Sequence, residues 1–156
     1  MKRGMFIKRL GLMALLLVLH VAAIAAPSGE RQIEKEIFQL INEYREKNGL
    51  PPLQYSNAVA DIAEHHSQRM ADKDIPFGHK DFQQRYNAMK QELPDMTSGA
   101  ENVAYGADDA AEAVALWLKS AGHKKNIRGN FTHTGISVVR DSEGHLYFTQ
   151  LFVKLQ

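Results

Sequence analysis

Apolar residues return every three or four positions at Ile33, Ile37, Leu40, Ile41 and Tyr44, while Glu34, Lys35, Glu43, Glu46 and Lys47 fill the intervening faces. That spacing predicts an amphipathic helix with one buried stripe. Asn48-Gly49 and then Pro51-Pro52 end it, because Gly accepts a left-handed cap and Pro cannot extend the hydrogen-bond ladder. Ser56 can cap a second helix over Asn57 to Ala71, with Val59, Ile62, Ala63, His66 and Met70 on one side. Lys73 to Lys80, marked by Pro76 and Gly78, reads as a loop that presents His79. A short helix is expected around Asp81 to Met89, and Lys90 to Ser98 reads as loop. Asp109 and Glu112 have the spacing of a capping box. The helix they open, Ala110 to Leu118, is apolar nearly all round and therefore belongs in the interior, with Trp117 as its main packing anchor.

Near the C-terminus the period changes. Gly135 to Arg140 and His145 to Leu155 read as a hairpin around the turn Asp141-Ser142-Glu143-Gly144. Leu146, Phe148 and Phe152 share one face of the second strand, and Tyr147, Leu151 and Val153 share the other. A sheet apolar on both faces has to be covered on both, so the predicted class is α+β: an α-β-α sandwich, a small antiparallel sheet with helices on each side.

The first 25 residues follow a different pattern. Lys2, Arg3, Lys8 and Arg9 precede an almost wholly apolar run from Leu10 to Ile24, and Ala23-Ile24-Ala25 offers the small residues that signal peptidase reads. Residues 1–25 are therefore read as a signal peptide, and 26–156 as a single secreted, periplasmic or extracellular domain, monomeric and with no stable membrane span after cleavage. The apolar run falls short of the roughly 20 residues that a span requires. The remaining 131 residues can bury roughly two-thirds of the surface that the unfolded chain exposes, enough for one core.

Cleavage also changes the charge. It removes four basic and no acidic residues, leaving 15 of the 19 Lys and Arg against all 18 Asp and Glu, net −3 with His neutral. A mildly acidic domain lacks the basic face that phosphate binding draws on, which argues against a nucleic-acid partner. The absence of cysteine excludes disulfides, thiolate metal sites and a cysteine nucleophile together.

The most specific residues lie between Gly99 and Ile127. Glu101 sits in a short segment between two glycines, which favours a bent or extended backbone and a carboxylate near a turn. His123 follows Gly122 just past the expected end of the Trp117 helix. The two converge only if tertiary structure brings them together. His65 and His66 are helix neighbours about 100° apart and do not chelate one ion; one is expected exposed and the other packed. His133 and His145, at hairpin edges, read as structural or solvent-facing.

Several motifs together resemble the CAP superfamily, which unites cysteine-rich secretory proteins, antigen 5 and plant pathogenesis-related class 1 proteins. They are N-E-Y-R at Asn42 to Arg45, A-x-x-H-S-x-x-M from Ala63 to Met70, G-H at Gly78-His79, A-E-N-V-A at Ala100 to Ala104, W-L-K-S-A-G-H-K-K-N-I from Trp117 to Ile127, and Y-F-T-Q-L-F at Tyr147 to Phe152. They run in the family's order across nearly all of the chain after residue 25. The resemblance implies an α-β-α sandwich with a cavity lined by two His and two acidic residues. His79 matches the first histidine, Glu101 the glutamate of the G-E-N type motif and His123 the second histidine. The fourth, acidic, position is Ser120 here, and the family's cysteines are missing, as in its bacterial branch.

Three functions compete on these residues. The first is a secreted binding module whose His79, Glu101 and His123 take a divalent cation, zinc foremost, or a small-molecule, lipid-like or peptide ligand, water completing the coordination. The second is a hydrolase, either metal-dependent with Glu101 as base or built on a Ser120/His123/Glu101 triad. The triad lacks a G-x-S-x-G elbow, and Ser120 has a simpler use as a helix cap. The third is an interaction or stress protein whose polar cluster only ties loops together. Tyr86, Tyr105 and Trp117 are also candidates for stacking sugars.

Overall fold

The computed structural model describes residues 28–156, so the signal peptide expected at residues 1–25 lies outside the described residues. Helix α1 runs Gly29–Lys47 and buries Ile37, Ile41 and Arg45. After a two-residue strand β1, Gln54–Tyr55, helix α2 occupies Asn57–Ala71 with the Ser56 side chain accepting from the Val59 N–H. Helix α3 spans Phe82–Glu92 and strand β2 Met96–Tyr105. Helix α4, Ala110–Lys119, is followed directly by α5, Ala121–Ile127. Strands β3, His133–Arg140, and β4, Leu146–Leu155, form the terminal hairpin.

The sheet order is β1-β3-β4-β2. Strands β3 and β4 pair antiparallel, as do β4 and β2, while β1 adds a short parallel pairing that makes the sheet mixed. Two residues are too few to carry a periodic signal, which is why the strand is silent in the sequence.

The faces divide as the alternation along β4 predicts. Leu146, Phe148 and Phe152 pack with Ile37, Ile41, Ala113 and Trp117 of α1 and α4. Leu151 and Val153 pack with Val59 and Ala63 of α2, Met89 of α3 and Met96. The result is the α-β-α sandwich. Trp117 is fully buried, and its indole N–H donates to the Val103 carbonyl at 3.0 Å. The Asp109–Glu112 cap at α4 forms with its return bond shifted one residue: Asp109 Oδ1 accepts from the Glu112 N–H at 2.8 Å, and Glu112 Oε2 accepts from the N–H of Asp108, not of Asp109, at 3.0 Å. Gly135 lets α2 lie directly on β3, because a Cβ there would stand 2.2 Å from the Ala60 nitrogen.

Two local expectations change. The segment expected to be loop up to Ser98 is strand from Met96, so Glu101 lies in mid-strand opposite Leu151 and not beside a turn. Cross-strand pairing overrides the weak β signal of the Gly-containing segment. His123 does not trail the Trp117 helix either. Ser120 turns extended at φ −82°, ψ 124° and starts a separate helix, placing His123 in the first turn of α5.

Candidate functional site

Each site residue is delivered by a different element. Glu101 projects from β2 on the α2/α3 side of the sheet, among residues of the loop and helix that follow α2. His79 comes from that loop, and Arg85 from α3. Asn126 ties α5 to the outer edge of β2 by donating to the Glu101 carbonyl at 3.1 Å and to Asn102 Oδ1 at 2.9 Å. Asn102 in turn donates to the His123 carbonyl at 3.2 Å. This lattice fixes the first turn of α5 against β2 and sets His123 near His79, their ring centroids 6.3 Å apart.

Glu101 is the electrostatic centre of the cluster. Arg85 Nε donates to its Oε2 at 2.6 Å, Arg85 Nη2 to its Oε1 at 2.7 Å, and His79 Nδ1 lies 2.8 Å from the same Oε1. Burial by itself pushes the Glu101 carboxyl up; the hydrogen bonds from His79 and Arg85 and the Arg85 charge outweigh it and hold the carboxyl below its ordinary range. An ionised carboxylate only accepts, so His79 donates through Nδ1 and leaves Nε2 available. The imidazole of His123 is held below its ordinary value, first by burial and then by repulsion from His79 whenever that ring is protonated, which favours its neutral, lone-pair-donating form.

The structure thus brings His79, Glu101 and His123 into one neighbourhood with unequal parts. Both Glu101 oxygens are engaged, and among the described residues no group of three or more His, Asp or Glu side chains stands at ion-holding distance. A three-residue metal shell that includes Glu101 does not fit. The Glu101–His79 contact has the form of the carboxylate–histidine pairs that orient metal-ligating imidazoles. His79 is half-exposed, and the trio does not line the groove of about 440 Å3 between α2 and α3, which takes His66 and Arg85 among its walls.

The other candidates separate. Ser120 is a helix cap, its Oγ accepting from the His123 N–H at 3.5 Å, and among the described residues no hydrogen bond links Ser120 Oγ to an imidazole or Glu101 to the His123 ring. The Ser120/His123/Glu101 triad is therefore not assembled. His65 is exposed, while His66 is buried and contacts the Gly78 carbonyl. Trp117 is core. Tyr105 remains exposed, beside Phe77 and Tyr147.

Arg85 is the residue that sequence reasoning missed. It lies three residues after Phe82 and four before Met89, so it occupies a buried position on the α3 stripe where an apolar side chain is the rule. An arginine on that stripe signals buried acceptors that satisfy its guanidinium, a carboxylate or backbone carbonyls. Arg45 carries the same signal on α1, where its guanidinium donates to the carbonyls of Pro51, Ile127, Gly129 and Phe131 and so secures the segment that leaves α5.

The Bacillus subtilis protein YkwD is 36% identical over 132 residues, covering 83% of this chain and 50% of its own length. The Bacillus subtilis membrane protein YlbC is 35% identical over 126 residues, 78% of this chain and 34% of its own. This chain thus spans half or less of these relatives. A crystal structure of an extracellular protein containing an SCP domain from Bacillus anthracis superposes with a TM-score of 0.70 at 29% identity, over 80% of this chain and 41% of that one. An outer surface protein of Borrelia burgdorferi shares the fold alone, with a TM-score of 0.68 at 19% identity over 81% of this chain and 95% of that one. The profile of the Cysteine-rich secretory protein family, CAP, matches residues 38–152, and with its cysteine-free sequence and three-layer fold the chain belongs to that family.

Proposed function

We propose that this CAP domain is a binding module acting outside the cytoplasm, in which His79 and His123 take a divalent cation, zinc foremost. Glu101 orients His79 from behind, and water or a donor atom of a small, lipid-like or peptide ligand fills the remaining positions. The observation that carries the reading is the division of labour at His79: Nδ1 is committed to Glu101 at 2.8 Å, leaving Nε2 available beside a neutral His123 ring. Bound there, the cation would supply Lewis acidity to whatever donor completes its shell. A hydrolase with Glu101 as general base has less support, because Arg85 already holds both carboxylate oxygens. The extracellular setting rests on the leader pattern of residues 1–25 and on the extracellular SCP-domain relative.

Calorimetric titration with zinc at pH 7.5 tests the reading. Binding by the native chain, and its loss in His79→Ala and His123→Ala with circular dichroism unchanged, is the expected result. Zinc binding indifferent to both substitutions would leave the cluster a loop tie and the domain an interaction module.

A further inference from the structure

His79 is half-exposed, so packing does little to hold it. Its backbone is gripped on both sides instead. On the N-terminal side, His66 of α2 reaches the Gly78 carbonyl with Nε2 at 2.8 Å. On the C-terminal side, Arg85 Nη1 donates to the Lys80 carbonyl at 2.8 Å. Both gripping side chains are buried. Gly78 has φ +134°, a conformation open to Gly and strained for other residues, so a carbonyl fixed at this point sets the direction in which the chain enters His79.

We propose that His66 is a positioning residue for His79: its Nε2–H anchors the Gly78 carbonyl and thereby aims the His79 ring between Glu101 and His123. A carbonyl only accepts, so the Nε2 of His66 carries the proton. The other nitrogen, Nδ1, is buried and has no hydrogen-bond partner among the described residues. Leaving a buried polar atom unpaired is unfavourable, and a Leu or Met at this position on the α2 stripe would avoid that cost while filling the space. What an apolar residue cannot do is hold Gly78. Arg85 braces the loop and also binds Glu101, so its removal disturbs two things together; the hydrogen bond of His66 goes to the Gly78 carbonyl and to no side chain of the site, which makes its anchoring contribution separable.

The inference rests on the reading of His79 as the functional imidazole, and its test separates the two. Nitrogen-15 NMR of the imidazole rings reports the His79 tautomer without any metal, and zinc calorimetry reports binding. Three variants are compared: His66→Phe, which fills the space without a donor; His66→Asn, polar but too short to reach Gly78; and His66→Gln, which returns an N–H near the Nε2 position. The native chain should show one His79 tautomer, protonated at Nδ1. Phe and Asn should mix the tautomers and weaken zinc binding roughly 10-fold or more, the range for losing an outer-shell support, while Gln restores most of both. If Phe fails to fold, Asn against Gln carries the comparison. An unmixed His79 tautomer in folded His66→Phe or His66→Asn would overturn the positioning role. If the native chain binds no zinc, the metal reading falls, and the tautomer comparison still decides the role of His66.

Discussion

Arg85 closes over both carboxylate oxygens of Glu101, with Nε at 2.6 Å from Oε2 and Nη2 at 2.7 Å from Oε1, inside the fold and out of water. Desolvating two charges is costly, and the fork geometry is what offsets it. Removing one partner leaves the other buried and uncompensated. Arg85→Met should therefore destabilise the domain by about 3–5 kcal/mol, whereas Arg85→Met combined with Glu101→Leu should recover most of that loss. Urea denaturation of the three proteins checks it. A single-variant loss under about 1 kcal/mol, the scale of a solvent-exposed pair, would mean that the pair is not buried in solution.

Acid should undo the same region in two stages. His66 is held below its ordinary value of 6.5, by burial first and by the Arg85 charge second, with His79 adding to the effect and Glu101 and the Gly78 carbonyl opposing it. A depressed folded value means that the unfolded chain takes up the proton first. Stability from neutral His66 is thus complete above pH 6.5 and is lost as pH falls below it toward the folded value. The lowered Glu101 acts further down: its contribution is complete above the ordinary carboxylate range and is lost as pH falls through its depressed value. Denaturant unfolding should show a first decline below about pH 6.5 that is blunted in His66→Gln, and a second at carboxylate pH that is blunted in Glu101→Gln. Parallel pH profiles for native and variant chains would remove these two groups as the cause.

Trp117 anchors one layer of the sandwich. It is fully buried, packs against α1 and the sheet, and its N–H satisfies the outward Val103 carbonyl of the edge strand β2. Trp117→Ala should cost about 3–5 kcal/mol, the range for emptying an aromatic core site. Trp117→Phe keeps part of the volume but abandons the Val103 carbonyl, and should cost about 1–3 kcal/mol. Equal denaturation midpoints for native and Ala forms would contradict the packing.

Where the chain makes long periodic elements, their type and facing are written in the residue pattern itself. The stripe of α1, the Ser56 and Asp109 caps, the buried Trp117 and the two-faced β4 all follow from spacing, because burial over many residues leaves a repeating trace. The site is less legible. Its geometry depends on single residues that break a pattern: Arg85 on an apolar stripe, Ser120 ending one helix while starting the next, and Asn126 reaching from α5 to β2. Gly122 has the character of a residue that ends the Trp117 helix, yet it sits inside α5, since the reversal is made by Ser120 in an extended conformation. The family motifs single out His79, Glu101 and His123, which the fold places near one another. They do not reveal that Arg85 already occupies Glu101.

Gly135 offers a test of the close approach between α2 and β3. A Cβ at this position would stand 2.2 Å from Ala60 N and 2.4 Å from Val59 C, both backbone atoms, so a side chain cannot simply swing away. Gly135→Ala must push the helix off the strand and should cost about 1–3 kcal/mol or more, the scale of overpacking a core. The displaced α2 carries His66, so the zinc affinity of this variant should fall along with its stability. A stabilised Gly135→Ala protein, as expected from unfolded-state entropy alone, would mean that α2 does not rest on β3 as described.

By the motif resemblance Ser120 stands at the family's fourth, acidic, position, and it sits three residues before His123 at the start of α5. Because Arg85 neutralises Glu101, a cation held by His79 and His123 meets no unpaired carboxylate from the trio. A carboxylate introduced beside the pair should therefore have a large effect. Ser120→Glu should raise zinc affinity by adding an anionic ligand or a partner to a coordinated water, whereas Ser120→Gln, equal in length and uncharged, should not. Glu101→Gln should weaken binding roughly 10- to 100-fold without abolishing it, because it loosens His79 and leaves both imidazoles in place. All of these affinities should fall between pH 7.5 and 5.5 as protons compete for the imidazoles. Calorimetry of the native chain and three variants at the two pH values decides among the roles. Complete loss of zinc binding in Glu101→Gln would make Glu101 a direct ligand, and equal affinities for Ser120→Glu and Ser120→Gln would place position 120 out of reach of the metal.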